Sequence, residues 1–314
     1  MSAGRERGRI GGKRGRAQLH KRWSRGARVV ASLCALLVLG AMQAHAEGIV
    51  IASGTKGGYY HAVARGLRVV LFNEYGIPTD VVSSRGSMAN LAELADPDSL
   101  VNVALAQADA LQSHLAAHPD FAKDYVQVGD AGKECAFIVV GRSAGIDGLE
   151  SLTAGDGRTI AIGDAGSGAA ITWANMSRLQ PRLAKVKAVE QGTIEALLAL
   201  QSGEANSGPT AAMMVQRPMA VATPLEIVLQ NAKDFVLVPI ARSDLRTSVR
   251  GTDSQDYTFE KVIIGFGRDN QSSVDTICTR ALILAAKNKL TADELEAVGK
   301  AVVTSRQFIL SGER

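Results

Sequence analysis

The residues that could do chemistry in this sequence lie in turns between apolar runs and helical patterns. The first turn contributes five candidate ligand-binding residues: Lys56, Gly57, Gly58, Tyr59 and Tyr60. The first amide groups of a helix have no partner within the helix, and the aligned peptide dipoles place partial positive charge there. A glycine-rich turn that leads into a helix is therefore a typical anion-binding element.

Later turns contain residues of the same kinds. Their candidate residues are Arg85, Gly86 and Ser87, then Gln107 and Asp109, and finally Ser167, Gly168 and Ala169. Ser87 has the residue type of a helix N-cap, so a second set of unpaired amides is expected behind it. Asp109 follows a strand and is either a ligand contact or an N-cap. Tyr59 and Tyr60 supply a hydroxyl and an apolar wall, or pack under their own turn.

Helix termini alone are too weak for tight binding of an anion. Micromolar affinity requires about −8 kcal/mol, whereas each terminus contributes about 0.3 to 1 kcal/mol, and up to roughly 2 when partly buried. A cation must therefore assist, and Arg85 is preferred over Lys56 because a guanidinium can grip a carboxylate with two hydrogen bonds. The alternative for both residues is a solvated surface side chain.

These turns contain no recognisable catalytic motif. His61 follows the first glycines, but no serine or cysteine nucleophile stands in an elbow motif and no paired carboxylates stand out. The spacing of Gly163, Gly166 and Gly168 is not the dinucleotide fingerprint, and Gly54 begins no Walker sequence. The sequence predicts no catalytic residue, no cofactor and no metal site, and His61 is interpreted as a residue on a helix face.

The front of the chain predicts secretion. Residues 1–28 are rich in Arg and Lys, Val29–Met42 is apolar, and Ala44-His45-Ala46 has the small-x-small form of a cleavage site. The apolar run is short of the roughly 20 residues that span a membrane. A lipoprotein anchored through Cys34 is disfavoured because Leu33 precedes it. We expect a signal peptide at 1–46, cleavage after Ala46, and a periplasmic protein.

Removal of this leader changes the charge. It holds ten of the 35 basic residues and one of the 31 acidic ones, so 25 basic and 30 acidic residues remain, a formal net charge of −5. No basic patch with interleaved aromatic residues remains, so a nucleic-acid partner is not expected. Two cysteines also remain, Cys135 and Cys278. An even pair in an oxidising compartment suggests a disulfide, with two buried free thiols as the alternative.

The order of elements predicts an α/β fold. Three strand-loop-helix units in residues 49–118 indicate a parallel sheet with covering helices, and ligands of such sheets collect at the carboxyl ends of the strands. A second series, with its own glycine-rich turn, runs through 149–240. Two such series suggest two lobes that face each other across a cleft, as in a ligand clamp.

Several segments in order resemble the solute-binding subunits of TRAP transporters of the TAXI type. They are the turn that ends in Tyr59-Tyr60, Gly86-Ser87-Met88-Ala89-Asn90-Leu91, Val103-Ala104-Leu105-Ala106-Gln107-Ala108-Asp109, Leu149-Glu150-Ser151-Leu152, Ile160-Ala161-Ile162-Gly163, Gly166-Ser167-Gly168 and Val274-Asp275-Thr276.

The resemblance implies the two-lobed type II periplasmic-binding-protein fold, each lobe a mostly parallel sheet flanked by helices. Lobe 1 is expected at 47–138 plus 239–314 and lobe 2 at 139–238. Two hinge strands are expected at Ala136–Val140 and Thr276–Leu284, with Cys135 and Cys278 at matching ends, which favours the disulfide.

The resemblance also implies a function. It predicts capture of a small organic anion, an amino acid such as glutamate or a dicarboxylate, for delivery to TRAP-type membrane permease subunits. The alternatives are a sensor subunit of the same fold and, less favoured, a secreted α/β enzyme.

Overall fold

A computed structural model describes residues 48–203, 208–218, 224–241, 243, 245, 257–265 and 272–311. The signal peptide predicted at 1–46 and its cleavage site lie outside these residues. None of the described helices is both long enough and apolar enough to span a membrane.

The strands form one mixed sheet. They are β1 Ile49–Ala52, β2 Thr79–Val82, β3 Val103–Gln107, β4 Tyr125–Gly141, β5 Thr159–Ala161, β6 Lys187–Val189, β7 Ala211–Gln216, β8 Phe235–Val238, β9 Thr258–Ile264 and β10 Ser272–Ala286. The main strand order is β2-β1-β3-β10-β4-β7-β5-β6, with β8 beside β4 and β9 beside β10.

The helices follow the strands along the chain. They are α1 Tyr59–Tyr75, α2 Ser87–Ala95, α3 Ala108–Ala117, α4 Leu149–Thr153, α5 Gly168–Leu179, α6 Thr193–Ser202, α7 Pro224–Gln230, α8 Ala292–Thr304 and α9 Arg306–Ser311. The apolar positions that predict α1 from the sequence, among them Val63, Leu67 and Leu71, are all buried. Gly76 ends this helix in the left-handed conformation, where glycine is unstrained.

Two parallel strand series occupy opposite ends of the sheet. In the first half, β1 pairs in parallel with β2 and β3. In the second half, β5 pairs in parallel with β6 and β7. The long strands β4 and β10 run antiparallel between these series. The α/β class with two series and two linking strands, predicted from the sequence, is therefore confirmed.

The linking strands are longer than the predicted segments. The hinge strand expected at Ala136–Val140 is the last part of β4, which begins at Tyr125. The pairing of β4 with β10 shifts register twice, between Ala281 and Leu282 and between Ile283 and Leu284. Cys135 and Cys278 lie directly opposite each other on these strands and are joined by a disulfide.

Alternate residues of β10 show how the two halves share one surface. Ala281 and Ile283 enter the core under α1 and α8 in the first half. Ile277, four residues before Ala281 on the strand, enters the core under α5 in the second half. Thr279 lies between these two cores, on the same face of the strand. We call this face of the sheet the helix-start face. It is the face on which Ile277, Thr279 and Ala281 lie and against which α1 and α5 pack.

Candidate functional site

Two of the turns predicted to bind a ligand meet where the two halves touch. A Cβ atom placed on Gly86 would lie 3.2 Å from the Cα atom of Ser167, and the amide of Met88 donates to the carbonyl of Gly166 over 3.4 Å. Gly86 has φ of +122°, a conformation that side chains rarely adopt. The β2–α2 turn of the first half therefore touches the β5–α5 turn of the second half, as a clamp requires.

Gln107 and Gly168 form a second contact between the halves. Gln107 is buried at the end of β3, and a Cβ atom on Gly168 would lie 1.6 Å from its Oε1 atom. The start of α5 therefore rests directly on this amide. Ala169, the next residue, is buried in the core of the second half.

Asp109 binds groups from the opposite half. Its Oδ2 atom accepts hydrogen bonds from Thr172 on α5 at 2.7 Å and from Tyr257 at 2.6 Å. Its Oδ1 atom accepts from the amide of Ala110 at 2.9 Å. Burial raises the pKa of Asp109 and also raises the pKa of Tyr257. The helix cap at this position is Gln107, so the N-cap alternative for Asp109 is wrong.

Ser87 does not cap α2, contrary to the sequence prediction. The cap position belongs to Gly86, and the Ser87 hydroxyl accepts from the amide of Gln107 at 3.1 Å. Because Ser87 is already inside the helix, its side chain points to the neighbouring strand end. Ser167 does cap its helix, since its Oγ accepts from the amide of Ala170 at 3.2 Å.

The two tyrosines contact the linking strand β4. Tyr60 donates to Oε2 of Glu134 at 2.7 Å, and Tyr59 donates to the carbonyl of Ala131. Arg217, which follows β7, lies over the Tyr59 ring at 4.7 Å from its centroid. Burial, and then the charge of Glu134, raise the pKa of Tyr60.

Glu134 and Arg217 are functional candidates that the sequence reading missed. Glu134 is 6% exposed, and burial raises its pKa to about 7. One signal was available, because a glutamate directly before Cys135 and an apolar strand is an unusual residue for a core position. Arg217 had no such signal.

The predicted cations Lys56 and Arg85 lie outside this contact region. Both are exposed, and neither forms an ion pair with a described residue. They line a separate groove of about 890 Å³ beside β1, β2 and α2. The two glycines between Lys56 and Tyr59 extend this turn, and Gly57 has φ of +83°.

Nucleophilic chemistry finds no support around His61. Its Nδ1 lies 3.1 Å from the hydroxyl of Ser53, but that hydroxyl is buried and donates to the carbonyl of Val82 at 2.8 Å. Within the described residues, no group of three or more His, Cys, Asp or Glu side chains could hold a metal ion.

Comparison with known proteins finds a family and a set of similar folds. The model of the NMT1-like family matches residues 51–313. No curated protein matches the sequence. A solved protein of Bordetella bronchiseptica RB50 is 14% identical with a TM-score of 0.50, over 85% of this chain and 76% of that one.

Two further solved structures match a similar share of this chain. Iron-bound HitA from Pseudomonas aeruginosa is 12% identical with a TM-score of 0.49, over 84% of each chain. A double mutant of the BvgS VFT2 domain from Bordetella pertussis is 13% identical with a TM-score of 0.46, over 85% of this chain and 94% of that domain.

Proposed function

The chain belongs to the NMT1-like family, and from that premise we propose that it is a periplasmic solute-binding protein that captures a small organic anion between its two halves. Within this role we assign it to the TAXI type, which delivers its solute to TRAP-type membrane permease subunits. The solute class is an amino acid such as glutamate, or a dicarboxylate. The protein binds its solute without converting it.

The contact between the two glycine-containing turns is the observation that carries this proposal. The β2–α2 turn, with Gly86, and the β5–α5 turn, with Ser167, belong to different halves and lie within van der Waals reach of each other. The amino ends of α2 and α5 therefore converge. Amides from both halves can serve one anion, and a solute that touches both halves favours the closed arrangement.

The charge partner of the anion is the next part of the proposal. The sequence favours Arg85, with Lys56 second, and both are exposed on the groove beside β1, β2 and α2. Arg217 is a third candidate because its guanidinium already lies beside Tyr59 at the meeting of the halves. A guanidinium adds charge-assisted hydrogen bonds of the strength that helix termini lack.

The location and the partner rest on the sequence. The basic and apolar leader with Ala44-His45-Ala46 supports export and cleavage after Ala46. The ordered segments shared with TAXI-type subunits support a TRAP permease as the partner. Genes for TRAP membrane subunits beside the gene of this protein would agree with that partner, whereas an adjacent membrane kinase would favour a sensor.

Native mass spectrometry of the protein purified from the periplasm tests the function. We expect a small carboxylate to be released from the purified protein. A library of carboxylates should then raise the melting temperature, and Arg85→Ala, Lys56→Ala and Arg217→Ala should identify the charge partner. If no carboxylate shifts the melting temperature and none of the three variants differs from the native protein, the anion proposal is wrong.

A further inference from the structure

Glu134 occupies an exceptional place on the sheet. It lies directly opposite Thr279 in the β4–β10 pair, so the two side chains share the helix-start face. Thr279 stands between Ile277 and Ala281, which belong to the cores of the second and the first half. The carboxyl of Glu134 and the hydroxyl of Thr279 therefore lie where the two cores meet.

The carboxyl of Glu134 is only partly satisfied. Tyr60 donates to Oε2, and this is its one hydrogen bond to a described residue. Arg217 lowers the pKa of Glu134 by its charge, but among the described residues it forms no ion pair with that carboxyl. By contrast, both oxygens of Asp109 accept hydrogen bonds. Of these two acids, Glu134 is therefore the one with a carboxylate oxygen that can still accept hydrogen bonds.

Thr279 provides an independent sign of a missing partner. It is 3% exposed, and its Oγ1 atom has no hydrogen-bond partner among the described residues. Buried polar atoms in folded proteins are nearly always paired, because an unpaired one loses its hydrogen bonds to water without replacement. An unpaired hydroxyl beside an under-used carboxyl fits a ligand group that donates several hydrogen bonds and carries positive charge.

We propose that Glu134 and Thr279 receive the protonated amino group of the solute, so that the solute is an amino acid or another ammonium carboxylate rather than a dicarboxylate. An ammonium group has three donors and no acceptor, which matches a carboxylate and a hydroxyl oxygen. It also supplies the charge that a buried carboxylate needs. This inference rests on the proposed function, because the helix termini hold the carboxylate of the same solute.

Matched solute pairs test the inference. Calorimetry compares L-glutamate with glutarate and L-leucine with 4-methylpentanoate, each pair differing by the amino group, and adds 3-methylbutylamine as an amine without a carboxylate. We expect the amino acid of at least one pair to bind at least tenfold more tightly than its deaminated partner. A hydrogen bond to a charged group is worth about 1.5 to 3 kcal/mol, which corresponds to roughly 10- to 150-fold.

The variant Glu134→Gln should remove this preference. The amide keeps the size of the side chain and can still accept from Tyr60, but it lacks the negative charge. We expect the amino acid to lose at least tenfold in affinity and its deaminated partner to lose little. Glu260→Gln is the matched control, because Glu260 is a partly exposed acid paired with Lys133, the residue next to Glu134. It should leave both affinities unchanged.

The variant Thr279→Val separates recognition from folding. It removes an unpaired hydroxyl, so the melting temperature of the free protein should not fall, while affinity for the amino acid should fall several-fold. Thr276→Val is its counterpart, because the Thr276 hydroxyl donates to the carbonyl of Ala136. That variant should lower the melting temperature and leave the preference for the amino acid intact.

The outcomes distinguish this inference from the proposed function. If deaminated acids bind as tightly as amino acids and Glu134→Gln does not discriminate between them, the inference is wrong and the anion-binding function stands. If only the amine binds, the ammonium site stands and the anion proposal is wrong. If no probe binds, the proposed function is wrong and the inference is overturned with it.

Discussion

The carboxyl of Glu134 shows how burial changes one residue's response to pH. Its pKa is raised from 4.5 to about 7, chiefly by burial, with the charge of Asp109 acting in the same direction. The free folded protein therefore holds this proton more tightly than the unfolded chain does. Stability from this source is present below pH 4.5 and is lost as the pH rises to about 7.

Glu134→Gln should remove that loss of stability. We expect the free native protein to lose up to roughly 3 kcal/mol more than the variant between pH 4.5 and pH 8, because one pKa unit corresponds to about 1.4 kcal/mol. Urea unfolding at both pH values measures the difference. His114, whose pKa is lowered by burial, acts in the opposite direction and cancels because both proteins contain it. Equal pH dependence of the two proteins would contradict the burial argument.

Sequence reasoning at the residue scale succeeded where a residue stands at a strand end. It placed Gln107 and Asp109 at the carboxyl end of a strand of the first half and Ser167 at that of a strand of the second half. The two strand series run in opposite directions, so these ends face each other where the halves touch. Sequence reasoning missed Glu134 because that residue lies inside a long linking strand, where no turn or motif points to it. Ser87 was misjudged by one position, which is the usual uncertainty of a helix end.

The strands and helices of the first half were the easiest elements to predict from the sequence. The three strand-loop-helix units expected in residues 49–118 are all present, from β1 to the end of α3 at Ala117. The single strand β4 was harder, because Gly129 and Gly132 interrupt its apolar pattern and such glycines are typical of turns. Pairing with β10 keeps this segment extended, and only the folded chain supplies that partner.

The disulfide between β4 and β10 is expected to stabilise this junction. Cys135 and Cys278 are both buried and are separated by 143 residues in the chain. The variant with Cys135→Ala and Cys278→Ala should lose about 2 to 4 kcal/mol of unfolding free energy, since a crosslink that closes a long loop restricts the unfolded chain. Urea unfolding with and without reductant measures this loss. If unreduced native protein exposes two alkylatable thiols in mass spectrometry, the bond is absent.

The turn between β2 and α2 should be sensitive to a single methyl group. At Gly86 both the positive φ and the approach of Ser167 oppose a side chain. We expect Gly86→Ala to weaken solute binding at least several-fold by separating the two turns. Gly76→Ala is the control, because Gly76 also has positive φ but has open space around it. The control should lower the melting temperature without changing the affinity for the solute. If the two variants bind the solute equally tightly, the contact between Gly86 and Ser167 does not contribute to binding.

At the scale of the whole molecule, the order of elements predicted the two strand series, and the family resemblance implied where the chain passes from one lobe to the other. The predicted lobe boundaries of 47–138 plus 239–314 and 139–238 stay a prediction. Ile240 and Ile277 pack into the core of the second half, while Ala281 packs into that of the first. Local periodicity does not reveal this long-range packing, because the part of β10 around Ile277 and the part around Ala281 are equally apolar. Limited proteolysis of the free protein would locate the exposed links.

Polar contacts within the protein itself join the two halves. Asp109 of the first half accepts from Thr172 on α5 and from Tyr257, which packs against the core of the second half. These bonds favour the closed arrangement, and closure before binding hinders entry of a solute. The population of open molecules therefore sets both the rate of entry and the apparent affinity.

Tyr257→Phe should shift this balance toward the open arrangement. The variant removes one donor to a buried carboxylate, a bond worth about 1.5 to 3 kcal/mol, while Thr172 keeps Asp109 partly satisfied. Small-angle X-ray scattering should show a larger radius of gyration for the free variant, and solute should restore the native value. Tyr125→Phe is the control, because Tyr125 stacks on Phe121 at the far end of β4. If Tyr257→Phe scatters like the native protein and like this control, Asp109 does not hold the halves closed, and their contact must rest on the two turns alone.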